Sequence, residues 1–419
     1  MTTIPMLNET SLVAPDIQAR YSSTRALTEA LAAPLSPEDQ TAQPMPDASP
    51  TKWHRGHTTW FFEAFLLPGL PSYRPYHPLF GYLFNSYYET IGPRHPRPQR
   101  GLLTRPGTGE VGSYRTQVDE AMSELLAGPR QPGTTFLAEL GIQHEQQHQE
   151  LLLMDIKSLL ALNPLRPRYH REIADDAHPS PALGWVELAG GTGLVGHDGT
   201  GFAFDNEQPR HRVVLRPYAV ADRPASCGDW LGFMADGGYE RPELWLSDGW
   251  STVQREGWQA PLYWESGEHG WAVFTLGGLK RVDPAEPVCH ISYYEADAFA
   301  RWAGCRLPTE HEWELAASEV GLAHRFDPGR AHPRPMGVEA TGAAGQVWEW
   351  TASAYLPYPG FRPSAGAVGE YNGKFMVNQH VLRGGCVASP PGHPRATYRN
   401  FFAPHCRWPF TGLRLARDL

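Results

Sequence analysis

A change of texture near residue 165 constrains this chain more than any other feature. Before it, long helical patterns alternate with proline-rich breaks; after it, glycine, tryptophan and proline punctuate short strand-like runs. Residues 14–35, "APDIQARYSSTRALTEALAAPL", read as a first helix. Ser49-Pro50 has the form of an N-cap with proline at the first helical position. The helix that follows carries Trp53, His57, Trp60, Phe61, Ala64 and Leu67 at spacings of three and four, a buried stripe. His54 falls off that stripe and is expected in solvent. Residues 78–92 read as a short aromatic helix ended by Gly92-Pro93, and residues 108–128 as a helix stopped at Gly128-Pro129. A last helix covers 134–162 and ends at Asn163-Pro164. The expected N-terminal domain, residues 10–165, is a bundle of four principal helices.

Residues 166–182 form a linker, and 183–419 an irregular α+β domain with long loops. Its strand candidates are "GWVELAGG", "HRVVLRPYAVA", "WAVFTL" and "HVLRGG". Two helical patches interrupt them, capped at Ser292 and at Thr309, the latter with Glu312 in capping-box spacing. A length of 419 residues with 41% hydrophobic content supports two cores. The formal charge of −9 argues against a general nucleic-acid binder. No apolar run reaches the roughly 18 residues a membrane span needs. The N-terminus lacks the charged and apolar regions of a secretory signal. Five scattered cysteines without a C-x-x-C fit reduced thiols in the cytoplasm.

The segment "GIQHEQQHQELLLMD" contains H-E-x-x-H, the signature of zinc proteases. On a helix, His144 and His148 lie about 40° apart around the axis, on the stripe with Leu137, Leu140, Leu151 and Leu152. Glu150 is turned about 160° from His148 and is a poor third ligand. His57 is a better one, because an unpaired imidazole between Trp53 and Trp60 would cost free energy. Three imidazoles suit zinc, copper, iron or nickel alike. The protease reading weakens at the third ligand. Leu151 and Met154 stand where one protease class needs glycine and histidine, and Pro164 and Pro167 break the chain where another needs a helix bearing glutamate.

Several stretches resemble known families. "GWVELAGGTGLVGHD", "FDNEQPRHRVVL", "RLPTEHEWELAA", "GQVWEWTAS", "VLRGG" and "TGLRLARDL" resemble the formylglycine-generating-enzyme-type (sulfatase-modifying-factor) domain, a C-type-lectin-like fold. The preceding half resembles a DinB-like bundle. Their fusion is the arrangement of the ergothioneine-biosynthesis sulfoxide synthases, the EgtB family, which "SPTKWHRGHTTWFFE", "LFNSYYETIGPRHPRPQRG" and "HEQQHQE" also resemble. The resemblance implies one non-haem Fe(II) on His57, His144 and His148, and O2 as co-substrate. The reaction joins a thiol to C2 of the imidazole of Nα-trimethylhistidine (hercynine) and yields a sulfoxide. A small-molecule enzyme is thus implied, without nucleic-acid or membrane partners; a homo-oligomer is compatible with it. The second domain is expected to complete the substrate site.

Further roles follow from the same resemblance. Gln147 and Asn400, with Phe401 and Phe402, are implied in substrate binding; the competing reading makes Gln147 an anchor for a ligand histidine. Tyr87 and Tyr88 are candidate proton donors, against a plain core role, and Tyr371 is a weaker candidate. Arg94 and Arg97 suit a carboxylate clamp, against a solvated turn. Phe402 replaces an acid, and Cys406 an arginine, of members that use γ-glutamylcysteine, so cysteine is the expected thiol. Formylglycine-generating activity needs a differently spaced cysteine pair. The rivals are an OvoA-like synthase acting at C5, which usually carries a methyltransferase domain absent here, and a non-catalytic DinB-like metal-binding or stress protein.

Overall fold

The computed structural model describes residues 16–128, 133–171, 173, 178–268, 270–320, 326, 329–336 and 345–419. The chain divides into two compact units, Met1–Leu159 and Leu160–Leu419.

The first unit is helical: α1 (Ile17–Ala32), α2 (Thr51–Phe65), α3 (Phe80–Phe84), α4 (Thr108–Ala127) and α5 (Thr134–Leu162). Helix α2 is its axis, packed against α1, α3 and α4, with every residue from Thr51 to Glu63 buried. Glycines permit two close approaches to it. A Cβ at Gly56 would meet the Phe84 ring at 2.3 Å, and one at Gly141 would meet the ring of Phe62 at 2.4 Å. The second approach seats α5 on α2 one turn before His144.

Two local expectations need correction. Helix α2 begins one residue later than expected, with Pro50 in the N-cap position and no side-chain cap. Ser49 is engaged elsewhere: its N–H donates to Asp155 (2.8 Å) and its hydroxyl accepts from Arg100 (2.9 Å). The aromatic helix expected over 78–92 shrinks to the five residues of α3. Asn85 stops it, accepting from the Tyr88 N–H (3.1 Å) and donating to the carbonyls of Tyr88 (3.1 Å) and Gly92 (2.9 Å). Such side-chain bonds offer the backbone an alternative to helix. Tyr87 and Tyr88 therefore sit on an irregular segment rather than on a bundle helix.

The second unit mixes short strands and helices. Its strands are β1 (Trp185–Leu188), β2 (Gly191–Val195), β3 (His211–Leu215), β4 (Tyr218–Ala221), β5 (Trp264–Gly267) and β6 (Gly270–Thr275). They continue as β7 (Gly278–Arg281), β8 (Trp348–Ala354), β9 (His380–Arg383), β10 (Asn400–Phe402), β11 (Thr411–Leu413) and β12 (Ala416–Asp418). Small sheets result, ordered β1-β4-β12, β10-β9-β8-β11, β2-β3 and β5-β6-β7. Helices α6 (Cys227–Ala235), α7 (Ser247–Glu256), α8 (Tyr293–Trp302) and α9 (Glu310–Val320) pack among them. Ser292 caps α8 through Glu295, and Thr309 and Glu312 form their box, with Glu312 accepting from the Thr309 N–H at 2.8 Å. Ser226 and Asp229 make a further box on α6 that the sequence reading missed. Buried tryptophans 230, 313, 348 and 350 fill the core, and buried arginines are ion-paired: Arg383 and Arg399 with Glu310, Arg414 with Glu349. Burying a guanidinium demands such partners.

Candidate metal centre

Helices α2 and α5 bring three histidines together. His57, His144 and His148 each offer a ring nitrogen within 4.8 Å of the others. His57 donates Nδ1–H to the Phe84 carbonyl at 2.6 Å, which leaves Nε2 bare and 3.1 Å from Nε2 of His144. The ring of His57 is stacked against Trp53 (centroids 4.5 Å) and Trp60 (5.6 Å), and Phe61 packs on His144 at 4.7 Å. His57 and His144 are buried, while His148 and its neighbour Gln147 are half-buried. The accessible edge of the cluster is therefore at residues 147 and 148.

Burial holds all three imidazoles neutral. It pushes His144 down to about 3 against the upward pull of Glu145. Burial followed by repulsion from His144 lowers His57 and His148 well below the ordinary histidine value. Neutral imidazoles with lone pairs facing a common point are the donor set a divalent transition metal takes. The residues fit such an ion.

Glu145 faces elsewhere. Its fully buried carboxylate accepts from Arg25 (2.9 Å), Arg115 (3.0 Å) and Thr28 (2.6 Å). Burial raises its pKa, but the two guanidiniums outweigh this and hold it at about 2. A carboxylate so engaged ties α1 and α4 to α5 and has no role as a base beside a metal. Glu150, buried on α5, is outside the ligand group.

Other expected residues are placed as follows. Tyr88 is buried among Phe65 (5.2 Å), Trp60 (5.6 Å) and Phe61 (6.3 Å), with half-buried Tyr87 stacked on it at 4.6 Å. Arg94 is exposed and paired with Glu89 (2.9 Å), and Arg97 is exposed and donates to the Asp47 carbonyl. Asn400, Phe401 and Phe402 form the edge strand β10, where Phe401 stacks on Tyr355 (4.1 Å) and Phe402 packs on Trp408 (5.9 Å). Tyr371 is buried and stacked on Phe204.

Two residues escaped the sequence reading. Arg100 is only 2% exposed, and its guanidinium lies 3.4 Å from the centre of the Trp53 ring, against the indole that stacks on His57. Among the described residues it has no ion-pair partner, only the hydroxyls of Ser49 (2.9 Å) and Ser86 (3.2 Å). Burial, with repulsion from Arg97 and Arg94, pulls it down to about 8. The signal was legible: Arg94, Arg97 and Arg100 recur every third residue. His54, expected in solvent, is 2% exposed and lies between His148 and Asp155. An all-round buried helix has no solvated face for it.

Comparison with known proteins settles the family. Residues 20–152 match the DinB superfamily, and residues 171–339 and 329–419 the sulfatase-modifying factor enzyme 1-like domain. The hercynine oxygenase of Mycobacterium tuberculosis is 33% identical over 409 residues, covering 89% of this chain and 92% of that protein. The hercynine oxygenase of Mycolicibacterium smegmatis is 31% identical, with the same 89% and 92% coverage. This chain belongs to the hercynine oxygenase family. Ergothioneine biosynthesis protein 1 of Schizosaccharomyces pombe is 27% identical over 240 residues, covering 52% of this chain and 28% of that protein. No helix among the described residues of this hercynine oxygenase relative is long and apolar enough to cross a membrane.

Proposed function

We propose that this chain joins the sulfur of cysteine to C2 of the hercynine imidazole, with Fe(II) held by His57, His144 and His148. Membership of the family makes it an oxidoreductase of the sulfoxide-synthase type in ergothioneine biosynthesis. The observation that supports the metal assignment is the convergence of three neutral imidazoles, two buried and one half-buried. Ferrous iron held by these three residues would bind and activate O2 at its open positions, the four electrons that reduce O2 coming from the thiol and the imidazole. The thiol S–H and the imidazole C2–H are lost, C–S and S–O bonds form, and the second oxygen atom leaves as water.

The protein groups divide the remaining work. Neutral imidazoles leave the site's positive charge to attract a thiolate. Arg94 and Arg97 clamp the substrate carboxylate through their forked donors, beside Arg100, which is buried with no ion-pair partner among the described residues. Gln147, half-buried beside His148, serves as a hydrogen-bonding residue for hercynine. The phenol of Tyr87 or Tyr88 serves as the proton donor; the Tyr88 ring lies one aromatic layer from His57 and His144, across Trp60 and Phe61, and Tyr87 stacks on Tyr88.

In the second unit, Asn400, Phe401 and Phe402 are proposed as substrate-binding residues. Cysteine is favoured over γ-glutamylcysteine because Phe402 and Cys406 carry no charge. Their neighbour Arg407 is committed to Glu295 (2.8 Å) and lies over Trp258 at 4.1 Å. A γ-glutamyl group would bury an extra carboxylate and ammonium unpaired, a cost that separates substrates by roughly a hundredfold or more in kcat/KM.

The test is incubation of Fe(II)-loaded protein with hercynine and either thiol, the product identified by mass spectrometry and proton NMR. A C2-linked sulfoxide of cysteine is expected. Equal or better kcat/KM with γ-glutamylcysteine, or a C5 linkage, would overturn the assignment. In the same assay Tyr87→Phe or Tyr88→Phe should divert turnover toward oxidation of the thiol alone. Unchanged product ratios in both variants and the double variant would make the pair core residues.

A further inference from the structure

We propose that His54 is a positioning residue for the metal: it accepts the Nδ1 proton of His148 and so turns the Nε2 lone pair of His148 toward His57 and His144. The proposal rests on those three histidines holding a metal. His54 Nδ1 and His148 Nδ1 are 2.8 Å apart, and two ring nitrogens at that distance share one proton. On its other side, His54 Nε2 is 3.1 Å from Asp155 Oδ2. A carboxylate only accepts, so Nε2 of His54 carries the hydrogen. In the tautomer we assign, this is the single N–H of His54, and Nδ1 of His54 is the acceptor. The shared proton then belongs to His148 Nδ1, and the lone pair of His148 is at Nε2. Asp155 is fixed in turn by the N–H of Ser49 at 2.8 Å, just ahead of α2.

The chain Ser49–Asp155–His54–His148 is enclosed: Ser49, His54 and Asp155 are all buried. Helix α2 contributes one ligand and α5 two, and each helix adds one group to the orienting chain. Helix α2 supplies His57 and His54, three residues apart, and α5 supplies His148 and Asp155, two turns apart on one face. His57 gets the same service from the Phe84 carbonyl. A hydrogen-bond partner on the distal nitrogen fixes tautomer and ring angle, and losing it typically costs about 10–100-fold in metal affinity.

The test uses the full chain loaded with Co(II), in which ring N–H protons of metal-bound imidazoles appear as strongly shifted, exchangeable proton resonances. His54→Phe keeps a ring against Trp53 and removes the acceptor. It should lower Co(II) and Fe(II) affinity by about 10–100-fold and make the His148 N–H exchange rapidly with solvent. His54→Asn places an amide oxygen where Nδ1 was, and should restore both the resonance and most of the affinity. Should His54→Phe fail to fold, His54→Leu carries the same expectation. A Phe or Leu variant with wild-type affinity and a slowly exchanging His148 N–H would overturn the proposal. So would an Asn variant as weak as the Phe variant, which would make His54 a packing residue. Wild-type protein that takes up neither metal would instead overturn the metal reading on which the proposal stands.

Discussion

Adjacent residues of α5 serve opposite environments. His144 faces a layer of neutral imidazoles and indoles, where burial drives its pKa down to about 3. Glu145, about 100° around the helix, faces Arg25 and Arg115, where a fully buried carboxylate stays charged. The first layer gathers ring nitrogens of His57, His144 and His148 within 4.8 Å of one another. In the second, every charge has its partner inside the protein. One five-residue motif thus contributes to a histidine cluster on one face and to a structural ion-pair network on the other, which is why H-E-x-x-H by itself does not define a protease.

The largest effect that separates the two layers is on folding. Glu145→Ala leaves two buried guanidiniums facing a gap, a loss of about 3–5 kcal/mol. His144→Ala should abolish metal binding while costing the metal-free fold less. Urea denaturation of the metal-free proteins checks this; a Glu145→Ala protein of wild-type midpoint would break the distinction.

Acid should separate the layers more gently. Above pH 6.5, the ordinary histidine value, the three imidazoles are neutral folded and unfolded and add no pH dependence. Below it the unfolded chain takes up protons that the folded chain resists, so stability falls as pH drops from 6.5 toward 3. Glu145 has the later window. Its contribution is complete above 4.5 and is lost as pH falls toward 2. Stability measured against pH should therefore show His144→Ala differing from wild type in slope from pH 6.5 down to about 3, and Glu145→Gln differing in slope only below 4.5. Coincident windows would contradict the assigned environments.

How much of this was legible depended on whether a helix has a solvated face. On α5 the spacing of His144 and His148 and the wheel position of Glu150 sufficed, because periodicity separates a core stripe from the rest. On α2 the same reasoning found His57 and misplaced His54, since a helix buried on all sides gives periodicity nothing to report. Asp155 was findable, two turns beyond His148 on one face, but its partner was not, because only the tertiary fold brings Asp155 to His54. Arg94, Arg97 and Arg100 are equivalent in sequence spacing, and only tertiary packing on Trp53 distinguishes the third as buried. Asn85, a helix former's neighbour by pattern, ended α3 through side-chain bonds that a hydrophobic pattern does not record.

Iron stoichiometry is the sharpest test of His57, His144 and His148 as the ligand set. Anaerobic equilibrium dialysis with Fe(II) should give one iron per wild-type chain, and the same for Glu150→Gln. Alanine at His57, His144 or His148 should remove it while leaving the helical circular dichroism intact. An iron-free Glu150→Gln protein, or an alanine variant at any of the three histidines that keeps its iron at wild-type affinity, would contradict the account.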